Sequence, residues 1–127
     1  MLLARDNGGS CGTQTAALSW GGRDYPVENR QDNTEEYNGS SWSTGGDLAV
    51  ATSNCGQGCG TQTAGLTAGG QSDATNYLNT SYEYDGTSWS SSGNLITARC
   101  NLSGFGVQTA GAITGGSDDT SGAQGNL

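Results

Sequence analysis

The sequence contains no histidine and no lysine, and its four basic residues are all arginines. A hydrolytic triad of the usual kind needs one of these missing side chains as its base, so we expect no enzyme of that class and no catalytic residues. Twelve acidic residues against four arginines give a net charge of −8, which argues against binding nucleic acid through its phosphates. We also expect no cofactor and no bound metal, because no set of typical ligands stands out.

Large aliphatic side chains are scarce as well, since leucine, isoleucine, valine and phenylalanine make up 15 of 127 residues. No stretch approaches the roughly 18 apolar residues that cross a bilayer, so the sequence predicts no insertion into a membrane. The opening segment Met1–Arg5 is too short for a signal peptide, and we expect synthesis in the cytoplasm. Low hydrophobicity often indicates disorder, but charged residues are only 13% and the apolar residues recur at fixed positions, which favours a folded chain.

Glycine is abundant, with 23 residues, and it occurs in repeated phrases. Gly-Thr-Gln-Thr-Ala begins at Gly12 and at Gly60, and the related Gly-Val-Gln-Thr-Ala begins at Gly106. Each phrase leads to a Gly-Gly pair, and the first two continue to Glu-Tyr-x-Gly-x-Ser-Trp. The tyrosines and tryptophans of those two phrases lie 47 residues apart. A fixed period of this length is typical of a propeller or a solenoid.

The period divides the chain into units. We interpret 1–47 and 48–94 as complete repeats, 95–116 as half a repeat and 117–127 as a tail. The turn signals predict four short strands in each complete repeat. In the first repeat they span Leu2–Asp6, Thr13–Trp20, Thr34–Tyr37 and Ser40–Ser43. The dipeptides Asn38-Gly39 and Asp85-Gly86 predict two-residue turns between the last two strands.

This arrangement resembles the blades of kelch-type β-propellers, which have a Gly-Gly pair after the second strand, then a tyrosine and a tryptophan. The resemblance implies an all-β fold of four-stranded blades, about two and a half per chain, over residues 1–116. The spacing of five from tyrosine to tryptophan is shorter than in the usual kelch blade. The residues that carry the resemblance, and that we expect to be structural anchors, are Gly21, Gly22, Tyr37, Trp42, Gly69, Gly70, Tyr84, Trp89, Gly115 and Gly116.

The phrases Gly-Thr-Gln-Thr-Ala-Gly and Glu-Tyr-Asp-Gly-Thr-Ser-Trp are also similar to repeat proteins of phages and aquatic bacteria. This second resemblance implies a virion component, such as a decoration, fibre or adhesin part. Its expected location is the virion or an extracellular surface, and its expected partners are other virion proteins.

The loops that follow the Gly-Gly pairs differ most between the two complete repeats, and binding usually resides in variable loops on a repeated scaffold. The first of them, 23–33, contains Arg23, Asp24, Tyr25 and Arg30, a mixture suited to protein or sugar contacts. We therefore predict a binding site there, with an idle surface loop as the alternative. A carbohydrate-binding propeller is the second hypothesis for function, because repeated aromatic residues stack on sugars.

The four cysteines leave three interpretations open. Cys11 and Cys59 share one repeat position, which Phe105 fills in the third repeat, so a buried apolar position is favoured. The alternatives are a disulfide of Cys55 with Cys59 or Cys100, and a zinc site formed by all four.

The carboxylates carry weaker signals. Glu35 and Glu36 are adjacent, so in a strand their side chains point to opposite faces. We expect the repeat-equivalent Glu36 and Glu83 to pair with an arginine of their own repeat or to be solvated, and not to form a glycosidase pair. Asp118-Asp119 would offer oxygen ligands to Ca²⁺, but the spacing matches no known loop and a solvated tail is expected.

Propellers close with about four to eight blades, and the chain encodes fewer than three. Open blade faces and strand edges invite pairing with other chains. The sequence therefore predicts either a homo-oligomer, as a ring or a filament, or a segment of a longer polypeptide. Three copies would supply six complete blades.

Overall fold

In the computed structural model, which describes residues 1–55 and 58–118, the chain forms ten β-strands in three antiparallel sheets. The predicted all-β class is confirmed, and none of the three described sheets closes on itself. The first sheet contains β1 (Gly9–Thr13), β2 (Ala16–Trp20), β3 (Thr34–Tyr37) and β4 (Trp42–Thr44) in that order. The second contains β5 (Cys59–Thr61), β6 (Ala64–Ala68), β7 (Ser81–Tyr84) and β8 (Trp89–Ser91). The third contains β9 (Cys100–Val107) and β10 (Ala110–Ser117).

The prediction of a first strand at Leu2–Asp6 is wrong. The backbone amides of Leu2 and Leu3 donate to the carboxylate of Glu35, at 2.6 and 3.1 Å. These amides are therefore bound by a side chain and not by the backbone of a neighbouring strand. The first strand begins later, at Gly9. A two-residue turn at Gln14 and Thr15 then separates β1 from β2, where a single strand was predicted.

Glycine makes this turn possible. Gly12 has a φ of 105°, and a Cβ placed on it would lie 2.3 Å from the carbonyl oxygen of Ala16. Gly60 and Gly106 have the same conformation before the corresponding turns, with φ of 107° and 99°. The repeated Gly-x-Gln-Thr-Ala phrase therefore specifies a tight hairpin in all three sheets.

The predicted two-residue turns at Asn38-Gly39 and Asp85-Gly86 are also wrong. β3 ends at Tyr37 and β4 begins at Trp42, so four residues connect them. The Asn38 side chain accepts hydrogen bonds from the amides of Ser40 and Ser41, both at 3.0 Å. Asp85 does the same for Thr87 and Ser88. Short polar side chains that bind their own backbone favour this wider turn.

The core lies between the first and second sheets. Leu18, Trp20 and Tyr84 are fully buried there, and the Trp20 and Trp89 rings meet edge to face at 5.1 Å. The indole N–H groups of both tryptophans donate hydrogen bonds to the opposite sheet. Trp20 donates to Thr67 at 3.1 Å, and Trp89 donates to Thr34 at 2.8 Å. Each sheet thus provides both apolar area and hydrogen-bond partners for the other.

Two junctions, one between the first and second sheets and one between the second and third, use the same backbone contacts. Gly22 N donates to Thr52 O and Gly70 N donates to Arg99 O, each at 2.8 Å. The first strands of the three sheets contact one another in sequence order, because β1 contacts β5 and β5 contacts β9. The sheets are therefore stacked in sequence order.

A buried ion pair holds the start of the chain to the first sheet. Arg5 and Glu35 are in direct contact, with side chains that are each 2% exposed. Arg5 also donates to the carbonyl oxygens of Gly21 and Asn33, at 2.9 and 2.8 Å. Burial alone would raise the pKa of Glu35, but the hydrogen bonds from the Leu2 and Leu3 amides and from Arg5 outweigh it and lower the pKa.

Replacing Glu35→Gln should lower the free energy of unfolding at pH 7 by about 3–5 kcal/mol, because it leaves the Arg5 charge buried without a counter-charge. A carboxyl group with a lowered pKa stabilises the fold above its unfolded pKa of about 4.3, and this contribution is lost as pH falls through the folded pKa. Urea titrations from pH 7 to 3 should therefore show a smaller acid-induced loss in the variant. Glu28→Gln is the control, since its side chain is 62% exposed. An equal acid response in wild type and Glu35→Gln would contradict this account.

Tyr84→Phe should lower the free energy of unfolding by about 1–3 kcal/mol, because it leaves Glu36 and the Gly46 amide without their partner. Burial, followed by the hydrogen bond to Glu36, raises the pKa of Tyr84 to about 12. A phenol with a raised pKa stabilises the fold at low pH, and that stability is lost between the unfolded value of about 10 and the folded one. The free energy of unfolding of wild type should therefore fall as the pH rises from about 10 to about 12 by an amount that the Tyr84→Phe variant does not show. Tyr37→Phe, which removes a hydroxyl without a partner in the described residues, should change stability by less than about 0.5 kcal/mol.

Candidate functional site

The loop predicted to bind, 23–33, has a rigid base and a projecting tip. Backbone bridges pair Arg23 with Asp6 and with Arg30, and they close the tip, 24–29. Inside the tip, the Asp24 carboxylate accepts from the Asn29 amide at 2.8 Å, and the Asp24 carbonyl accepts from the Glu28 amide at 2.8 Å. The bond between Tyr25 and Pro26 is cis. The tip is therefore an ordered turn that carries its apolar residues outward.

The charge of Arg23 is paired with acidic side chains inside and outside the loop. Arg23 forms ion pairs with Asp6 at 3.1 Å and with Glu28 at 3.8 Å. Exposed pairs of this kind contribute little stability, about 0–1 kcal/mol, but they fix the position of the guanidinium group. Arg30 is half-buried, and its Nε atom has no hydrogen-bond partner in the described part of the chain.

Tyr25 is the residue of the predicted site that is most available for contact. Its side chain is 83% exposed. It stands at the edge of a cavity of about 230 Å³ lined by Ala4, Arg5, Asp6 and Tyr25. The structure therefore brings Tyr25 together with Asp6, which also binds Arg23. Arg5 faces this cavity as well, although its guanidinium is committed to Glu35 and two backbone carbonyls.

The corresponding loop of the second repeat is shorter and polar. A backbone bridge joins Gln71 to Tyr77, and Asp73 accepts from the amides of Thr75 and Asn76, both at 2.8 Å. These hydrogen bonds, and more weakly the charge of Arg30, lower the pKa of Asp73. The two tips therefore differ in their exposed surface, because the first presents the aromatic ring of Tyr25 and the second contains no aromatic residue.

The predicted structural anchors fall into two groups. All six anchor glycines have positive φ, between 60° and 104°. They are Gly21, Gly22, Gly69, Gly70, Gly115 and Gly116. Tyr84 and Trp89 pack together in the core with ring centroids 5.0 Å apart. Tyr37 and Trp42 form the same kind of pair at 5.1 Å, but on the outer side of the first sheet, where both are half-buried.

A second cavity, of about 280 Å³, lies between the second and third sheets, at a position that was not predicted. Its lining includes Leu66, Ala68, Ser81, Glu83 and Ile113. The equivalent space at the first junction is filled by Trp20, Tyr84 and Trp89. Ala68 stands where the first repeat has Trp20, and no third Tyr-Trp phrase follows, so both signals were present in the sequence.

The carboxylates occupy positions that differ from the expectation. Glu35 and Glu36 do point to opposite faces, since Glu35 is buried against Arg5 while Glu36 accepts a 2.5 Å hydrogen bond from Tyr84. Of the two alternatives expected for Glu36 and Glu83, pairing with an arginine of their own repeat is wrong within the described residues, and both side chains are half-buried and in part solvated. Glu83 accepts from Ser92 at 2.8 Å. The arginine binds the neighbouring Glu35 because Arg5 lies on that face of the sheet.

All four cysteines are free thiols, so the alternative of a disulfide at Cys55 is wrong. The position shared by Cys11 and Cys59 is half-buried in the first sheet and buried in the second, while Phe105 at this position is 63% exposed. Burial raises the pKa of the Cys11 thiol to about 12 and that of the Cys55 thiol to about 11, which makes both poor nucleophiles.

Within residues 1–55 and 58–118, no three or more histidine, cysteine or acidic side chains are grouped closely enough to hold a metal ion. Asp119 of the Asp118-Asp119 pair lies outside the described residues. No helix in the described ranges is long and apolar enough to cross a membrane.

Comparisons with known proteins identify the fold alone. No family model and no curated protein match the sequence. A solved structure described as the structure of YjhT superposes with a TM-score of 0.75 over 92% of this chain, at 12% sequence identity. This chain spans 40% of the length of that one. The arrangement of sheets is therefore shared with a longer protein at low sequence identity.

Exchanging the tip 24–29 for 72–76 should leave folding intact, because the backbone bridges at the base of both loops are equivalent. Circular dichroism and the urea midpoint would be compared with those of wild type. If the tip binds glycans, a multivalent display of wild type should bind on a glycan array, and the exchange and Tyr25→Ala should both abolish binding. Val27→Ser, at another exposed residue of the tip, is the matched control. Unfolding on exchange would show that the tip is structural.

Proposed function

We propose that this chain is a non-enzymatic structural protein that assembles with copies of itself through kelch-like propeller blades. The observation that supports this proposal most strongly is that both described junctions between sheets repeat the same backbone and glutamine contacts. Each complete sheet is a four-stranded antiparallel meander stacked on the next, which is how the blades of a propeller are arranged. The shared fold and the order of the repeat anchors support this reading.

The two outer faces of the stack support assembly. Phe105 and Val107 are exposed on the third sheet, and Tyr37 with Trp42 lies half-exposed on the first. Exposed apolar groups and open strand edges favour association with other chains. Three copies would supply six complete blades, and a junction that does not close would build a filament.

The proposed setting is a phage virion or an extracellular surface, where the protein would serve as a decoration, fibre or adhesin part. The repeated phrases support this setting through their similarity to phage repeat proteins. The acidity of the chain is compatible with it, because like charge limits non-specific association. Co-purification with virus particles is the direct test.

Carbohydrate binding is the second candidate function. The observation in its favour is Tyr25, an exposed aromatic ring beside the Asp6 carboxylate at the edge of a cavity. The tip exchange described above tests it, and no binding by wild type at high valency would remove it.

The chain should associate at micromolar concentration. Sedimentation velocity over a range of concentrations, with light scattering for mass, should show species larger than the 12.8 kDa monomer. A ring would give one discrete size, whereas a filament would grow with concentration. A well-folded monomer throughout this range would refute the proposed function.

A further inference from the structure

We infer that one copy joins the next head to tail, with the outer face of its third sheet packed against the outer face of the next copy's first sheet. This inference rests on the proposed function and names the surfaces that perform it. We call Gln14, Ala17, Tyr37 and Trp42 the head face. We call Phe105, Val107, Gly115 and the carbonyl oxygen of Gly111 the tail face.

The first matching contact is a glutamine from the hairpin turn. Gln62 donates to the Ala17 and Tyr37 carbonyl oxygens of the preceding sheet, at 3.3 and 2.7 Å. Gln108 donates in the same way to Gly65 and Tyr84, at 3.0 and 2.9 Å. A side chain that binds two carbonyls of its neighbour fixes the sideways position of one sheet on the next.

Gln14 occupies the same turn position in the first sheet, and it is exposed without a partner in the described residues. The carbonyl equivalent to those of Ala17 and Gly65 belongs to Gly111, in the third sheet. Gln14 of one copy is therefore the donor that Gly111 of another copy lacks.

The second matching contact places a larger side chain against a small residue. The Cys11 sulfur lies 3.4 Å from where a Cβ of Gly65 would be, and the Cys59 sulfur lies 2.4 Å from where a Cβ of Gly111 would be. Phe105 holds the Cys position of the third sheet, and Ala17 holds the glycine position of the first. Since Cys11 and Cys59 point toward the following sheet, Phe105 and Val107, two residues apart in β9, point away from the second sheet.

The third matching contact involves the Gly-Gly pair of each sheet, which we call the Gly-Gly corner because the following segment crosses the chain there. A Cβ on Gly21 would lie 2.5 Å from Thr52 O, and one on Gly69 would lie 2.3 Å from Arg99 O, because the following segment crosses closely there. A Cβ on Gly115 would meet nothing within 4 Å among the described residues. The residue equivalent to Thr52 and Arg99 at the start of the chain is Arg5. The corner at Gly115 is thus open to the opening segment of a second copy.

The test uses the full chain and blocks each face separately. Phe105→Glu on the tail face and Ala17→Arg on the head face should each weaken self-association by about 10- to 100-fold, the equivalent of burying one large apolar side chain. Ile96→Ser, at an exposed apolar residue outside both faces, is the control and should associate like wild type. Circular dichroism and urea midpoints verify that each variant is folded. If Ala17→Arg fails to fold, Gln14→Ala tests the head face with a change confined to an exposed side chain.

Mixing the two blocked variants distinguishes this contact from other modes of association. Each variant retains one intact face, so an equimolar mixture should form a heterodimer and nothing larger, measured by sedimentation velocity with one variant fluorescently labelled. If wild type associates while the mixture stays monomeric, or while both variants associate fully, the head-to-tail assignment is wrong and the proposed function still stands. If wild type itself is monomeric, the proposed function fails with it.

Discussion

The insertion of a tyrosine-tryptophan pair from one sheet into the sheet before it is the contact on which the rest of this structure depends. Tyr84 and Trp89 enter the first sheet, where Trp20 completes the cluster. Aromatic side chains bury large areas, and their polar tips need partners once water is removed. Thr34, Glu36 and Thr67 provide those partners. A chain with few large aliphatic residues obtains an ordered core in this way.

Close backbone contacts stabilise the junctions between sheets in addition to the small core. The Gly-Gly corners let the following segment approach so that an amide and a carbonyl meet at 2.8 Å. A net gain of about 1 kcal/mol for each such hydrogen bond is modest, but the contact occurs at both junctions between the described sheets. The high glycine content is therefore a requirement of packing between repeats. The buried pair of Arg5 and Glu35 anchors the segment that opens the first repeat.

The sequence predicted the period, the all-β class and the strand at Thr34–Tyr37, because each depends on residues close together in one repeat. It did not predict the contacts between repeats. The role of Gln62 and Gln108 depends on carbonyls of a neighbouring sheet, which no local pattern reveals. Leu2–Asp6 has the composition of a strand, but the amides of Leu2 and Leu3 donate to the Glu35 carboxylate and not to a neighbouring strand.

The same division, between local patterns and contacts of distant segments, applies to the candidate site. The variable loop and its residues Arg23, Asp24, Tyr25 and Arg30 could be found from the difference between repeats. That Tyr25 projects outward while Arg23 pairs with Asp6 follows from a bridge between distant segments. The second cavity arises from an absence, Ala68 in place of Trp20, whose effect appears only when the sheets are stacked.

The two complete repeats have nearly identical phrases, but their sheets pack differently against the sheet that follows. A Cβ on Gly45 would lie 2.6 Å from the Tyr84 hydroxyl, so glycine at this position admits the tyrosine. The second repeat has Ser92 here, and its hydroxyl binds Glu83, the equivalent of the Glu36 that receives Tyr84. With Ala68 in addition, the second sheet keeps an open cavity where the first is packed. A tyrosine could enter that cavity as Tyr84 enters the first sheet only after Ser92 turned away. The junctions thus share their backbone contacts, and they differ in these two side-chain positions and in the absence of a third Tyr-Trp phrase.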